Sequence, residues 1–255
     1  AYVSGTKNNR STFIGLEEMI LQLERFVKSF PIPNGVTYNS YFIDDDRTAV
    51  VDAVDSVIRD RFMENIDYLL QGRELSYIIV NHMEPDHCGS LLALADRYPS
   101  ARIVGNSQTF RFFEQFYHRL MADRYLRVSE KEVLDLGHHK LHVISAPMVH
   151  WPEVTVTYDE TEQILFSADC FGSFGVLDGN LFADQTDYKS RYLPEARRYY
   201  GNIIGKFGMQ TGSLLKKAES NFHPYIGTPS WTCFQKGCGT ESDYGFGGPV
   251  VGLDS

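Results

Sequence analysis

The sequence predicts a mixed α/β (α+β) domain in which two β-sheets pack face to face with helices outside. Short apolar or alternating β segments and segments of helical apolar period succeed one another in two halves of the chain, the pattern of a layered domain. The run Tyr77-Ile78-Ile79-Val80 has the composition of a strand buried on both faces. It passes directly into a cluster of metal-competent side chains, as happens where a sheet edge carries a site. No low-complexity segment or short-period repeat interrupts the pattern.

In chain order, Leu16, Met19, Ile20, Leu23, Phe26 and Val27 are spaced as one face of a helix over residues 16–28. A turn signal at Pro33-Asn34-Gly35 precedes an aromatic, alternating strand over 36–43. Asp44-Asp45-Asp46 turns the chain into a returning strand over 48–52. Phe62, Ile66, Leu69 and Leu70 predict a helix over 59–71, followed by the strand over 77–80. Ser90 is the expected cap of a helix over 91–97, and Ser107 that of a helix to 116, with a strand over 101–104 between them. Strands are expected over 133–136, 141–144, 154–158 and 164–167, then helices over 194–207 and 212–218. The Gly-, Ser- and Pro-rich tail from residue 221 shows no clear period.

With 255 residues and 43% hydrophobic content, the chain can bury a full core. Its net charge of −9 argues against a nucleic-acid binder. No run approaches the roughly 20 apolar residues of a membrane span, and the N-terminus lacks a basic-then-apolar leader. These features predict a cytoplasmic protein. Cys88, Cys170, Cys233 and Cys238 form no C-x-x-C pair, which argues against a thiolate zinc ribbon. Cys88 and Cys170 each follow a candidate site residue and read as small buried fillers.

The chemistry concentrates at strand ends. His82, Glu84, Asp86 and His87 follow the apolar strand at 77–80. Ala146-Pro147-Met148-Val149-His150-Trp151-Pro152 follows the strand at 141–144, and Ala168-Asp169-Cys170-Phe171-Gly172 the strand at 164–167. A mixed set of imidazoles and carboxylates suits iron, manganese or zinc, and this density can hold two cations. His118, His138, His139 and His142 read as structural, and Trp151 as a wall of the site. Gly172-Ser173-Phe174-Gly175 lacks the spacing of a phosphate-binding fingerprint.

The order H-x-E-x-D-H, A-P-x-x-H-W-P, S-A-D-x-F-G resembles the metallo-β-lactamase-like domain of the flavodiiron proteins. Asn39-Ser40-Tyr41 and Glu195-Ala196-Arg197-Arg198-Tyr199-Tyr200 are similar to that family too, and the match runs over residues 30–218. The resemblance implies an αββα sandwich of metallo-β-lactamase type over 30–220, between an atypical N-terminal segment (1–29) and an atypical C-terminal segment (221–255). It implies two iron ions joined by an oxo or hydroxo bridge, with His82, Glu84 and His150 on the first, Asp86 on the second, and Asp169 bridging. His87 matches a position that lies beside the site without binding metal. Glu84 separates this reading from the zinc hydrolases of the same fold, which resemble H-x-H-x-D-H. A carboxylate there favours a harder ion and stabilises the ferric state.

The implied activity is reduction of dioxygen to water, nitric oxide to nitrous oxide, or both. The resemblance implies electrons from FMN and a homodimer or higher oligomer, with a flavodoxin-like or rubredoxin-like donor. Two departures stand out. The family's last histidine on the second iron is expected near 225–231, where Trp231 stands instead, leaving His223 as the late candidate. No flavin phosphate loop follows, so FMN is expected on a missing or partner domain. A zinc hydrolase and a non-catalytic member with a weakened metal site are the alternative readings.

Overall fold

The computed structural model describes residues 2–8, 11–20, 25–26, 30–176, 187–221 and 225–227, with side-chain detail for 30–176 and 187–218. The chain opens with β1 (Tyr2–Asn8), β2 (Ser11–Ile20), β3 (Arg25–Phe26), β4 (Phe30–Pro31), β5 (Val36–Asp44) and β6 (Ala49–Val51). Next come α1 (Arg59–Leu70), β7 (Tyr77–Ile79), α2 (Pro85–Cys88), α3 (Leu91–Arg97), β8 (Arg102–Gly105), α4 (Ser107–Tyr117) and β9 (Tyr125–Arg127). The second half holds β10 (Val133–Asp135), β11 (Lys140–Ser145), β12 (Thr155–Asp159), β13 (Ile164–Phe166), α5 (Tyr188–Arg191), α6 (Leu193–Tyr199), α7 (Gly208–Asn221) and β14 (Tyr225–Gly227).

Two large sheets result, a seven-stranded one ordered β1-β2-β5-β6-β7-β8-β9 and a five-stranded one ordered β10-β11-β12-β13-β14, beside a two-stranded β3-β4 pair. The first is antiparallel from β1 to β6 and parallel from β6 to β9. Their facing sides make one buried cluster: Ile43, Val51, Ile79 and Val104 from the first sheet, Leu141, Val143, Ile164 and Phe166 from the second. Strand residues alternate between faces, so Phe42, Val50, Ile78 and Ile103 point the other way and join Phe62, Ile66, Leu94 and Phe113 of the covering helices. Val156 and Leu165 of the second sheet belong to that outer cluster with Leu214 of α7. The αββα sandwich expected from the resemblance is the observed architecture.

Several expectations need correction. Residues 11–20 form a strand, where the apolar spacing of 16–28 had predicted a helix. β2 pairs with β5 from Thr12↔Asp44 to Ile20↔Val36, and this ladder satisfies the edge of β5, outweighing a local periodicity. Asn106, not Ser107, caps α4, because its Oδ1 accepts from both Gln108 N and Thr109 N. Ser90 precedes α3 as expected, but its hydroxyl donates to Asp55 O instead of capping. The helices expected over 194–207 and 212–218 are parts of one helical path: α6 runs into a π turn (Tyr200–Ile204), a 3-10 turn (Gly205–Phe207) and α7. Pro85 stands at the first position of α2, where its fixed φ and missing N–H are suited.

Candidate metal centre

Three loops at the ends of β7, β11 and β13 carry the predicted residues. Asn81, fully buried, ties the first of these ends to the second sheet. Its Oδ1 accepts from Thr157 Oγ1 at 2.7 Å, its carbonyl accepts from Thr155 N at 2.9 Å, and its own N–H donates to Asp52 Oδ1 at 2.7 Å. His82 and Met83 then run to Glu84, which is extended (φ −68°, ψ 146°), and Pro85 starts the single turn of α2. Consecutive helical residues project about 100° apart, so Asp86 and His87 leave this turn in different directions. Asp52, Met148 and Ala168 have φ of 55°, 64° and 47°, in the left-handed region where non-glycine residues are strained. Such strain gathers at functional loops, and these three residues adjoin the site, while Gln71, His118 and Gln163 adopt the same region elsewhere.

The structure brings the predicted residues into two groups that share Asp169. His82, Glu84, His150 and Asp169 present one donor atom each, all within 4.8 Å of one another. His150 Nε2 lies 3.0 Å from Glu84 Oε2 and 3.2 Å from Asp169 Oδ2, and His82 Nε2 lies 3.4 Å from both oxygens. Asp86, His87 and Asp169 form the other group. His87 Nε2 is 3.0 Å from Asp169 Oδ1 and 3.6 Å from Asp86 Oδ2. Asp169 thus turns Oδ2 to one group and Oδ1 to the other. His87 turns its ring into the second group, closer than the position beside the site expected for it. His118, His138, His139 and His142 belong to neither group. His223 lies outside the described residues.

The donor set fits cations. Buried Asp86 Oδ1 has no hydrogen-bond partner among the described residues, as suits an oxygen reserved for a cation. Burial opposes protonation of His82, but hydrogen bonds to Glu153 and Glu84 and the charge of Asp169 lift its pKa to about 9. His150 reaches about 9 for the same reason, against its burial, through Asp169 and Glu84. Burial would raise Glu84, yet hydrogen bonds from His150 and His82 hold it at about 2. Burial pushes Asp86 up to about 7, opposed by the His87 charge and reinforced by Asp169. Asp169 stays well below the usual carboxylate range despite burial, held there by His87 and His150. Three carboxylates packed together hold protons on their histidines, and bound cations would replace those protons.

Four supporting residues escaped the sequence reading. Glu153 accepts from His82 Nδ1 at 2.7 Å. Tyr199 donates its phenol to Asp169 Oδ1 at 2.7 Å, and burial beside Asp169 keeps that phenol protonated. Asp52 approaches His87 Nδ1 at 3.5 Å. Asn81 makes the ties described above. Tyr199 lies within the 195–200 run similar to the family, while Glu153, Asp52 and Asn81 carried no site signal of their own. Trp151 stands edge-on to His82 at 5.2 Å between ring centroids, and Phe112 and Phe116 stand against it at 6.1 and 6.5 Å. Cys88 and Cys170 are buried thiols, as expected of fillers.

With this fold and site in view, comparison with known proteins is direct. A family model described as the ODP family beta lactamase matches residues 36–204, and the chain belongs to that family. It is 30% identical over 198 residues to a diflavin flavoprotein (A 1) of Synechocystis sp., covering 77% of this chain and 34% of that protein. It is 31% identical over 192 residues to an anaerobic nitric oxide reductase flavorubredoxin of Aliivibrio salmonicida, covering 75% of this chain and 38% of the other. The crystal structure of the flavodiiron protein from Giardia intestinalis superimposes with a TM-score of 0.84 at 25% identity, covering 98% of this chain and 58% of that one. The chain spans about a third of the length of the curated relatives it matches. Among the described residues, no helix is long and apolar enough to cross a membrane.

Proposed function

We propose that this chain is the diiron domain of a flavodiiron-type oxidoreductase that reduces nitric oxide, dioxygen or both. The observation that carries the reading is Asp169, whose two oxygens face separate donor groups as a bridging carboxylate must. His82, Glu84, His150 and Asp169 would hold one iron, and Asp86, His87 and Asp169 the other. His87 then supplies the second ion with a nitrogen donor whatever the late histidine does. Glu84 favours iron over zinc by replacing an imidazole with a hard, anionic oxygen donor.

Two bound irons would supply the redox chemistry that binds and reduces a small gas. The chain's own residues hold and shield that chemistry. Asp169 fixes the spacing of the two groups, and Tyr199 holds Asp169 by its Oδ1. Trp151, backed by Phe112 and Phe116, walls His82 and His150 from water. Electrons would come from a flavin-carrying donor on the same polypeptide or a partner, in keeping with the diflavin and flavorubredoxin relatives. The active species would be a cytoplasmic homodimer or higher oligomer, which brings a donor to each site.

Iron-reconstituted protein with a reduced flavoprotein donor tests this reading. About two irons per chain and consumption of nitric oxide or dioxygen at an electrode are expected, with Asp169→Asn dropping iron below one per chain. Two tightly bound zincs, refusal of iron and no gas consumption would overturn it.

A further inference from the structure

Glu153 lies on the loop that carries His150, yet its carboxylate serves the histidine of a different loop. The side chain is fully buried, and its Oε1 accepts two bonds: His82 Nδ1–H at 2.7 Å and Met83 N–H at 2.9 Å. Its Oε2 is buried without a hydrogen-bond partner among the described residues. The backbone of Glu153 is pinned as well, because Asn106 Nδ2 donates to its carbonyl at 2.6 Å while Asn106 Oδ1 caps α4. A rigid helix start thus holds the loop that holds the histidine.

A backbone N–H can only donate, so Oε1 is an acceptor, and the short contact from His82 Nδ1 makes that nitrogen the protonated one. When a cation replaces the other ring proton, His82 Nε2 becomes the free donor, and Nε2 is the atom that faces Glu84 and Asp169. A carboxylate on the outer nitrogen of an imidazole also raises the basicity of the inner one. His87 differs: Asp52 Oδ2 stands 3.5 Å from its Nδ1, which makes no hydrogen bond among the described residues. The two groups therefore hold imidazoles of unequal donor strength.

We propose that Glu153 is a positioning residue for the metal centre, fixing the ring and tautomer of His82 and making the group of His82, Glu84 and His150 the tighter of the two cation sites. The proposal rests on the metal-site reading above, and one of its tests needs no metal.

In the metal-free protein labelled with nitrogen-15 at histidine, the wild type should show a hydrogen-bonded, slowly exchanging His82 Nδ1–H resonance. Glu153→Gln keeps an acceptor oxygen in the same shape and should shift that resonance upfield, while Glu153→Ala should abolish it. In titrations with cobalt(II) against a chelator, the wild type should fill the two sites in sequence. Glu153→Gln should weaken the tighter site about tenfold and Glu153→Ala by up to about 100-fold, leaving the second site nearly unchanged. Failure of the wild type to bind any cation would sink the metal-site reading alone, since the resonance still reports on Glu153. A resonance and a tight site both indifferent to Glu153→Gln, in a variant with wild-type melting, would overturn the proposal.

Discussion

His87 Nε2 lies 3.0 Å from Asp169 Oδ1, with both side chains buried. That contact joins the first turn of α2 to the end of β13 and makes Asp169 the shared member of both donor groups. It also gives a nitrogen to the group that the sequence motifs left short of one.

Tyr199 supports the other side of the same oxygen. Tyr199→Phe removes a buried 2.7 Å bond to a charged acceptor, and such bonds contribute about 1.5–3 kcal/mol. The metal-free variant should lose stability of that order in urea unfolding. The iron-loaded variant should lose less, because a cation would offset the charge that the phenol stabilises. Equal losses in both forms would show that a bound cation does not share the charge that the phenol stabilises.

Glu84 decides between metals. Glu84→His converts a group of two nitrogens and two carboxylates into one of three nitrogens, and preference should move towards zinc by about tenfold or more. Competitive loading with equal iron(II) and zinc(II), followed by elemental analysis, reads the change directly. An unchanged iron-to-zinc ratio would remove Glu84 from the argument.

The metal-free site should make stability fall with rising pH. His82 is raised from 6.5 to about 9, so its contribution is complete below pH 6.5 and lost as pH climbs through 9, on the order of 3 kcal/mol. His150 acts over the same window. Asp86 is raised from 3.8 to about 7, so burying its charge costs stability as pH rises between those values, with the same sign. Unfolding midpoints measured from pH 5 to pH 9 should decline in chelated protein and decline less in metal-loaded protein. Flat midpoints in the chelated form would contradict the coupling of these groups.

Much of this molecule was legible in the chain. The apolar run at 77–80, the alternation at 36–43 and the β segments from 133 to 167 are strands because their side chains suit buried, pleated surfaces. The three motifs fall at ends of such strands because a sheet edge aligns loops. Residues 16–28 misled because an apolar spacing of three and four describes a helix equally well until a neighbouring edge, β5, demands a ladder.

The sequence by itself determined which residues converge at the candidate site: His82, Glu84, Asp86, His150 and Asp169 are marked by type, spacing and order. Only the tertiary structure brought His87 into the second group, beside Asp86 and Asp169. A one-dimensional pattern carries no directions, and direction here depends on Pro85 starting a helical turn that swings His87 inward. It depends equally on Glu153 and Tyr199 reaching across loops distant in sequence to hold His82 and Asp169. Such contacts form only when two sheets pack, because packing is what brings their edges to one place.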